Sequence, residues 1–173
     1  MSSFSNKLLN RNTKKSLKRR DQEKGSISYS EANKVGILFT VVDRTKHEAV
    51  KKFIKKLEKD CKKVDVLCLL PEGKDNYDFI FDYFTTNDFT LFGNTASQSI
   101  LLFIQQEFDY LFVLDTTSNI YIENLLAKSS AKCRVGIFDD NNGPYFELMI
   151  KISNNNTEEL TEQIYHYLNL LSK

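Results

Sequence analysis

The sequence predicts a three-layer α/β domain, an open and mostly parallel sheet of about five to six strands with helices on both faces, preceded by a basic N-terminal arm. Three observations predict it. Continuous β-branched and apolar runs recur along the 173 residues, as in strands covered on both faces. Segments with one apolar stripe at helical spacing separate them. The first thirty residues are rich in Lys and Arg and poor in apolar side chains.

The arm, residues 1–30, carries Lys7, Arg11, Lys14, Lys15, Lys18, Arg19 and Arg20 with no acid before Asp21. Its apolar residues, Phe4, Leu8, Leu9 and Leu17, are too few to offset the entropy of ordering alone. The segment is therefore read as flexible, or helical when docked, and as separable from a single domain over residues 34–173. Strand one is VGILFTVV, 35–42. A helix follows over 46–62, with Val50, Phe53, Ile54, Leu57 and Cys61 on one stripe. VDVLCLL, 64–70, closed by Pro71 and Gly73, completes a strand–helix–strand unit.

Residues 77–84 hold a short aromatic strand candidate and 85–94 a loop. Thr95 and Gln98 match a capping box for a helix bearing Ile100, Leu101, Phe103, Ile104 and Phe108. DYLFVLD, 109–115, is the next strand, and Ser118 or Asn119 caps a helix to about Ser130. CRVGIF, 133–138, and FELMIKI, 146–152, are strands flanking an acidic turn. The last helix starts near Asn156 or Thr157, with a core stripe of Leu160, Ile164, Tyr167, Leu168 and Leu171. Alternation of this kind predicts a Rossmann-like sheet.

Length and composition place the chain among globular domains that need neither disulfide nor metal. The odd, scattered cysteines 61, 68 and 133 predict no disulfide framework. No run reaches the roughly 18 apolar residues that span a bilayer, and no secretory signal core is present, so a cytoplasmic location is expected. The net charge of +1 hides an asymmetry: residues 1–63 hold 18 Lys and Arg against 7 Asp and Glu, and residues 64–173 hold 6 against 16. Such polarity suggests an anionic partner, or pairing of opposite surfaces in a homo-oligomer.

Ligands of open parallel sheets bind beyond the carboxyl ends of the strands. The rim candidates there are Asp43, Arg44, Asp115, Thr116 and Asp139. VVDRTKHE after strand one lacks a dinucleotide-binding glycine fingerprint and a phosphate-cradling loop, so no cofactor is expected. Asp43, Asp115 and Asp139 could gather a hard cation, but helix capping is the favoured reading and no metal is assigned. His47 and His166 are read as solvated. No nucleophile–base constellation can be assembled.

The polyanion-binding candidates are Lys14, Lys15, Lys18, Arg19 and Arg20 of the arm and Lys52, Lys55 and Lys56 of the first domain helix, which also carries Lys51, Lys59, Lys62 and Lys63. Together they could neutralise several phosphates. No aromatic residue is interleaved with them in sequence to stack bases, so base recognition is not expected. An anionic membrane surface is the competing target.

Within residues 107–138, Phe108, Asp109, Asp115, Ala131, Lys132, Arg134, Val135 and Gly136 resemble the N-terminal Rossmann-like half of heptosyltransferase-type glycosyltransferases. The chain with its arm also resembles a family of small uncharacterised bacterial proteins. The first resemblance implies the fold and places Asp43 where those enzymes carry a catalytic aspartate. The chain has no Gly-Asp pair there and covers only one of their two domains. The leading expectation is a non-catalytic binding module whose arm and lysine-rich helix dock on an anionic partner, RNA or the ribosome. The alternatives are a degenerate or partner-dependent glycosyltransferase-like half using Asp43 and a homo-oligomeric interaction module.

Overall fold

The computed structural model describes residues 3–20, 28–74, 81–140 and 143–170. Its elements, in chain order, are α1 (Ser3–Arg20), β1 (Lys34–Thr40), α2 (Arg44–Lys59), β2 (Lys63–Leu69), β3 (Asp82–Phe84), α3 (Gln98–Gln105), β4 (Tyr110–Val113), α4 (Ile120–Lys128), β5 (Cys133–Ile137), β6 (Leu148–Ile150) and α5 (Thr157–Leu170). The strands form one sheet in the order β3-β2-β1-β4-β5-β6, every described pair parallel. β1 is central, with Val35 opposite Val64 on one side and Tyr110 on the other. This is the doubly wound order in which the chain reverses direction between β1 and β4.

The apolar runs form strands because both faces are covered. Alternate side chains of β1 enter two separate cores: Leu38 joins Leu111, Phe108 and the inner faces of α3 and α4, while Val35, Ile37 and Phe39 join Val50, Phe53, Leu57 and the α5 stripe Leu160, Ile164 and Leu168. Helices α1, α3 and α4 thus lie on one face and α2 and α5 on the other. Gly36 permits a close approach in the middle of β1, since a Cβ there would stand 2.8 Å from the Phe108 ring.

The segment read as a thin arm is a helix docked on its own chain. α1 packs along α4, burying Leu9 in the first core with Leu17 against its rim. Thr13 is fully buried; its hydroxyl donates to Leu9 O at 3.0 Å and accepts from Asn124 Nδ2 of α4 at 2.9 Å. Described residues of the arm segment thus contribute side chains to the first core. Leu9, Thr13 and Leu17 recur at intervals of four, so three modest side chains suffice once α4 supplies the other half of the interface.

Smaller expectations also change. The capping box falls at Thr85 and Asp88, around a single 3-10 turn, and α3 starts after Ser97; Thr95 Oγ1 instead accepts from Ser97 N–H. The cap of α4 is, as expected, one of the two candidates: Asn119 accepts from Tyr121 N–H. Cys61 lies beyond α2 at φ 61° and is exposed. His47 is buried against Phe81, because it shares the inward stripe of α2 with Val50 and Phe53. Tyr167 is exposed on α5. Tyr77, Asn142 and Leu171 lie outside the described residues.

Candidate functional site

The reversal between β1 and β4 opens a cleft of about 440 Å³ beyond the strand ends, lined by Val42, Asp43, Thr45, Lys46, Ala49, Thr116, Thr117 and the Asn155–Glu158 turn. Of the rim candidates, Asp43 and Thr116 face it. Arg44 lines an adjoining depression of about 340 Å³ with Glu48, Lys52 and Glu158. Asp139 is exposed after β5 and lines neither.

Lys46 links the two principal acids. Asp43 is the N-cap of α2, its Oδ1 accepting the Lys46 N–H at 2.8 Å. The Lys46 ammonium donates to Asp115 Oδ1 at 2.6 Å, with both side chains nearly enclosed, 10 % and 6 % exposed. Asp115 also accepts from Thr40 N–H at 2.8 Å and from the Thr40 hydroxyl at 2.6 Å. One carboxylate thereby ties the end of β1, the start of α2 and the end of β4. Asp115 is thus committed to structure, whereas Asp43 and Glu158 line the cleft. Among the described residues no three His, Cys, Asp or Glu side chains gather into a cation site.

The residues behind the glycosyltransferase resemblance also pin the sheet. Asp109 accepts from Asn33 N–H, Lys34 N–H and Lys132 Nζ at 2.8 to 3.0 Å. Burial alone would raise its carboxyl; the Lys132 and backbone hydrogen bonds outweigh this and hold it below the usual range. Arg134 is buried, forking onto Glu147 at 2.6 and 3.0 Å and donating to Leu126 O.

The basic candidates divide between opposite faces. On α2, Lys52 and Lys56 pair with Glu158 and Glu162 of α5 at 3.0 and 2.6 Å, and Lys51 pairs with Glu48. Lys62 is buried, donating to Tyr29 O and Ala32 O at 2.7 Å and lying over the Tyr29 ring. Lys55 stays exposed. The arm and the lysine-rich helix therefore do not make one surface: the sheet lies between them, and α5 meets Lys52 and Lys56 of α2.

α1 differs. Its inner side is spent on α4, so Lys7, Arg11, Lys14, Lys15 and Lys18 all stand exposed, and no acid occurs in the helix. The side chains of Arg19 and Arg20 lie outside those described. Beside α1 stands a tight hairpin, Phe89–Thr95, closed by an antiparallel bridge and by Gly93 N–H donating to Thr90 O at 2.9 Å. Asn12 Nδ2 donates to Phe92 O at 2.7 Å and Lys128 Nζ donates to Gly93 O. Gly93 is required there: its φ is +74° and a Cβ would meet Leu9 Cδ1 at 2.2 Å. Sequence reasoning did not find Lys46, Asn12, Asn124 or Phe92, since each acquires its role from a partner 69 or more residues away.

Strand order, enclosed acids and cleft position define a doubly wound, Rossmann-like α/β domain. The chain belongs to a family of unknown function, DUF6913, whose model matches residues 6–171. That span takes in most of α1 together with the sheet, as the packing of α1 on α4 requires. No curated protein and no solved structure matches the chain. No helix among the described residues is long and apolar enough to cross a membrane.

Proposed function

We propose that the protein is a non-catalytic binding module that docks through the outer face of α1 on an anionic macromolecule, with RNA, free or in the ribosome, as the class. The observation that carries the reading is the acid-free helix whose exposed positions hold Lys7, Arg11, Lys14, Lys15 and Lys18. A helix of this kind releases counterions when it meets phosphates, which supplies most sequence-independent affinity. The lysines of α2 are not needed, because α5 already faces Lys52 and Lys56.

Charge reversal at Lys14, Lys15 and Lys18 together should abolish most RNA affinity at low salt. It should also reduce the slope of log affinity against log salt by roughly 0.7 to 0.9 for each phosphate that is no longer neutralised. Reversal of Lys55 on α2 should change little. Unchanged affinity in the triple variant would remove the reading.

A second reading, a partner-dependent glycosyltransferase-like half using Asp43, is favoured by the cleft at the strand reversal. It expects a sugar nucleotide to raise the melting temperature of the parent, with the shift lost in Asp43→Asn.

A further inference from the structure

The hairpin beside α1 carries two large apolar residues at its tip, Leu91 and Phe92, 54 % and 52 % exposed. They occupy the central positions of the turn closed by Gly93 N–H and Thr90 O. Turn geometry selects Pro, Asn, Asp, Ser or Gly at such positions and gives no reason for Leu-Phe. The tip is also held from two sides, by Asn12 of α1 and Lys128 of α4. An exposed aromatic on a clamped turn loses little conformational freedom when it is covered.

Its setting is cationic. Asn12, which holds the Phe92 carbonyl, shares a flank of α1 with Lys15 three residues on, and Lys15 stands one turn from Arg11. The aromatic that the sequence lacks among its basic residues is thus supplied by a hairpin 80 residues away. Resting on the docking reading above, we propose that the Leu91–Phe92 tip and the adjoining flank of α1 form a composite surface for single-stranded RNA. Phosphates lie along Arg11, Lys14 and Lys15, and an unstacked base lies on the Phe92 ring. Stacking of this kind tolerates any base and adds to backbone contact without reading sequence. Duplex RNA, whose bases are already stacked and paired, offers only its backbone. An anionic membrane is the less favoured partner, because Leu9 and Leu17 of α1 are turned onto the core and, among the described residues, the tip offers just Leu91 and Phe92 to insert.

The test compares a short oligoadenylate, the same strand in a duplex, and phosphatidylserine vesicles as probes of the full chain at low salt. Phe92→Ala should weaken oligoadenylate binding about fivefold or more, as expected for loss of one stacked base, while duplex affinity stays unchanged. Phe92→Tyr should retain oligoadenylate affinity. The natural chain has no Trp, so Phe92→Trp gives a unique fluorophore, which oligoadenylate should quench and duplex should not. Equal affinity of Phe92→Ala and parent for oligoadenylate, with no quenching in Phe92→Trp, would overturn the stacking surface and leave the docking reading standing. Lys14→Glu with Lys15→Glu should weaken both RNAs. If it weakens neither, the docking reading fails with the surface built on it. Vesicle binding without RNA binding would overturn both in favour of a membrane.

Discussion

Asp115 shows how a rim acid can be enclosed for structure rather than chemistry. Its carboxylate is held by Lys46 and Thr40 with almost no exposure. Removing one partner strands the other charge in a poorly solvated place, which costs far more than removing both. Asp115→Ala should destabilise the fold by about 3–5 kcal/mol in chemical denaturation, and Asp115→Leu combined with Lys46→Met should recover most of the loss. A loss in the double variant as large as in the single one would show that the pair is needed for more than charge balance.

A second residue gives a pH signature. Burial pushes the Glu123 carboxyl above the usual carboxylate range, and the hydrogen bond with Tyr145 offsets only part of this. Burial together with Glu123 in turn pushes the Tyr145 phenol up to about 12. A raised carboxyl favours the folded state when protonated. Its contribution is therefore complete below the unfolded value, about 4.3, and is lost as pH rises through the higher folded value. Glu123→Gln mimics the protonated form and can still accept from Tyr145. It should melt higher than the parent at neutral pH, with the difference vanishing near pH 4. A gain that persists unchanged into acid would assign the effect to something other than ionisation.

Among elements, α1 is the one whose place the structure changes most. Leu9 is 2 % exposed, and Asn124 Oδ1 finds no hydrogen-bond partner among the described residues, so the Thr13 hydroxyl is the one polar link that Asn124 keeps across this interface. Leu9→Ala should cost about 2–5 kcal/mol, read as a lower melting temperature. It should also speed amide exchange in α1 and α4 ahead of β1 and β4, because the lost packing lies on one face of the sheet. Equal stability of parent and variant would mark α1 as a separable arm. The element also bears on the hairpin: Leu9 of α1 fills the space a Cβ at Gly93 would need, and Asn12 holds the Phe92 carbonyl.

At the scale of the whole molecule, the charge polarity of the sequence divides into two parts with different consequences. Lys52 and Lys56 of α2 meet Glu158 and Glu162 of α5 at the surface, where such pairs contribute about 0–1 kcal/mol each and are screened by salt. Complementarity between the two halves of the chain is therefore partly satisfied inside one molecule. The cations of α1 stand exposed on the opposite face of the sheet and are left to attract something else. The charge asymmetry of the sequence thus becomes, in the fold, one face on which some lysines meet acids and one, on α1, whose helix holds no acid.

The strands and their order of appearance were legible because a parallel sheet covered on both faces demands unbroken apolar runs such as Val35–Val41 and Tyr110–Leu114, which few other environments tolerate. The helix stripes Val50, Phe53, Leu57 and Leu160, Ile164, Leu168 were legible by the same local periodicity. Strand order, the docking of α1 and the membership of each site were decided only by tertiary structure. His47 reads as polar until Phe81 covers it, Lys62 as solvated until Tyr29 and Ala32 receive it, and Leu9 as isolated until α4 arrives. Local sequence determines which face of an element is apolar, since that depends on neighbours three or four residues away. What covers that face, and which distant charge meets which, depends on contacts between residues far apart in the chain, and these exist only once the sheet has assembled.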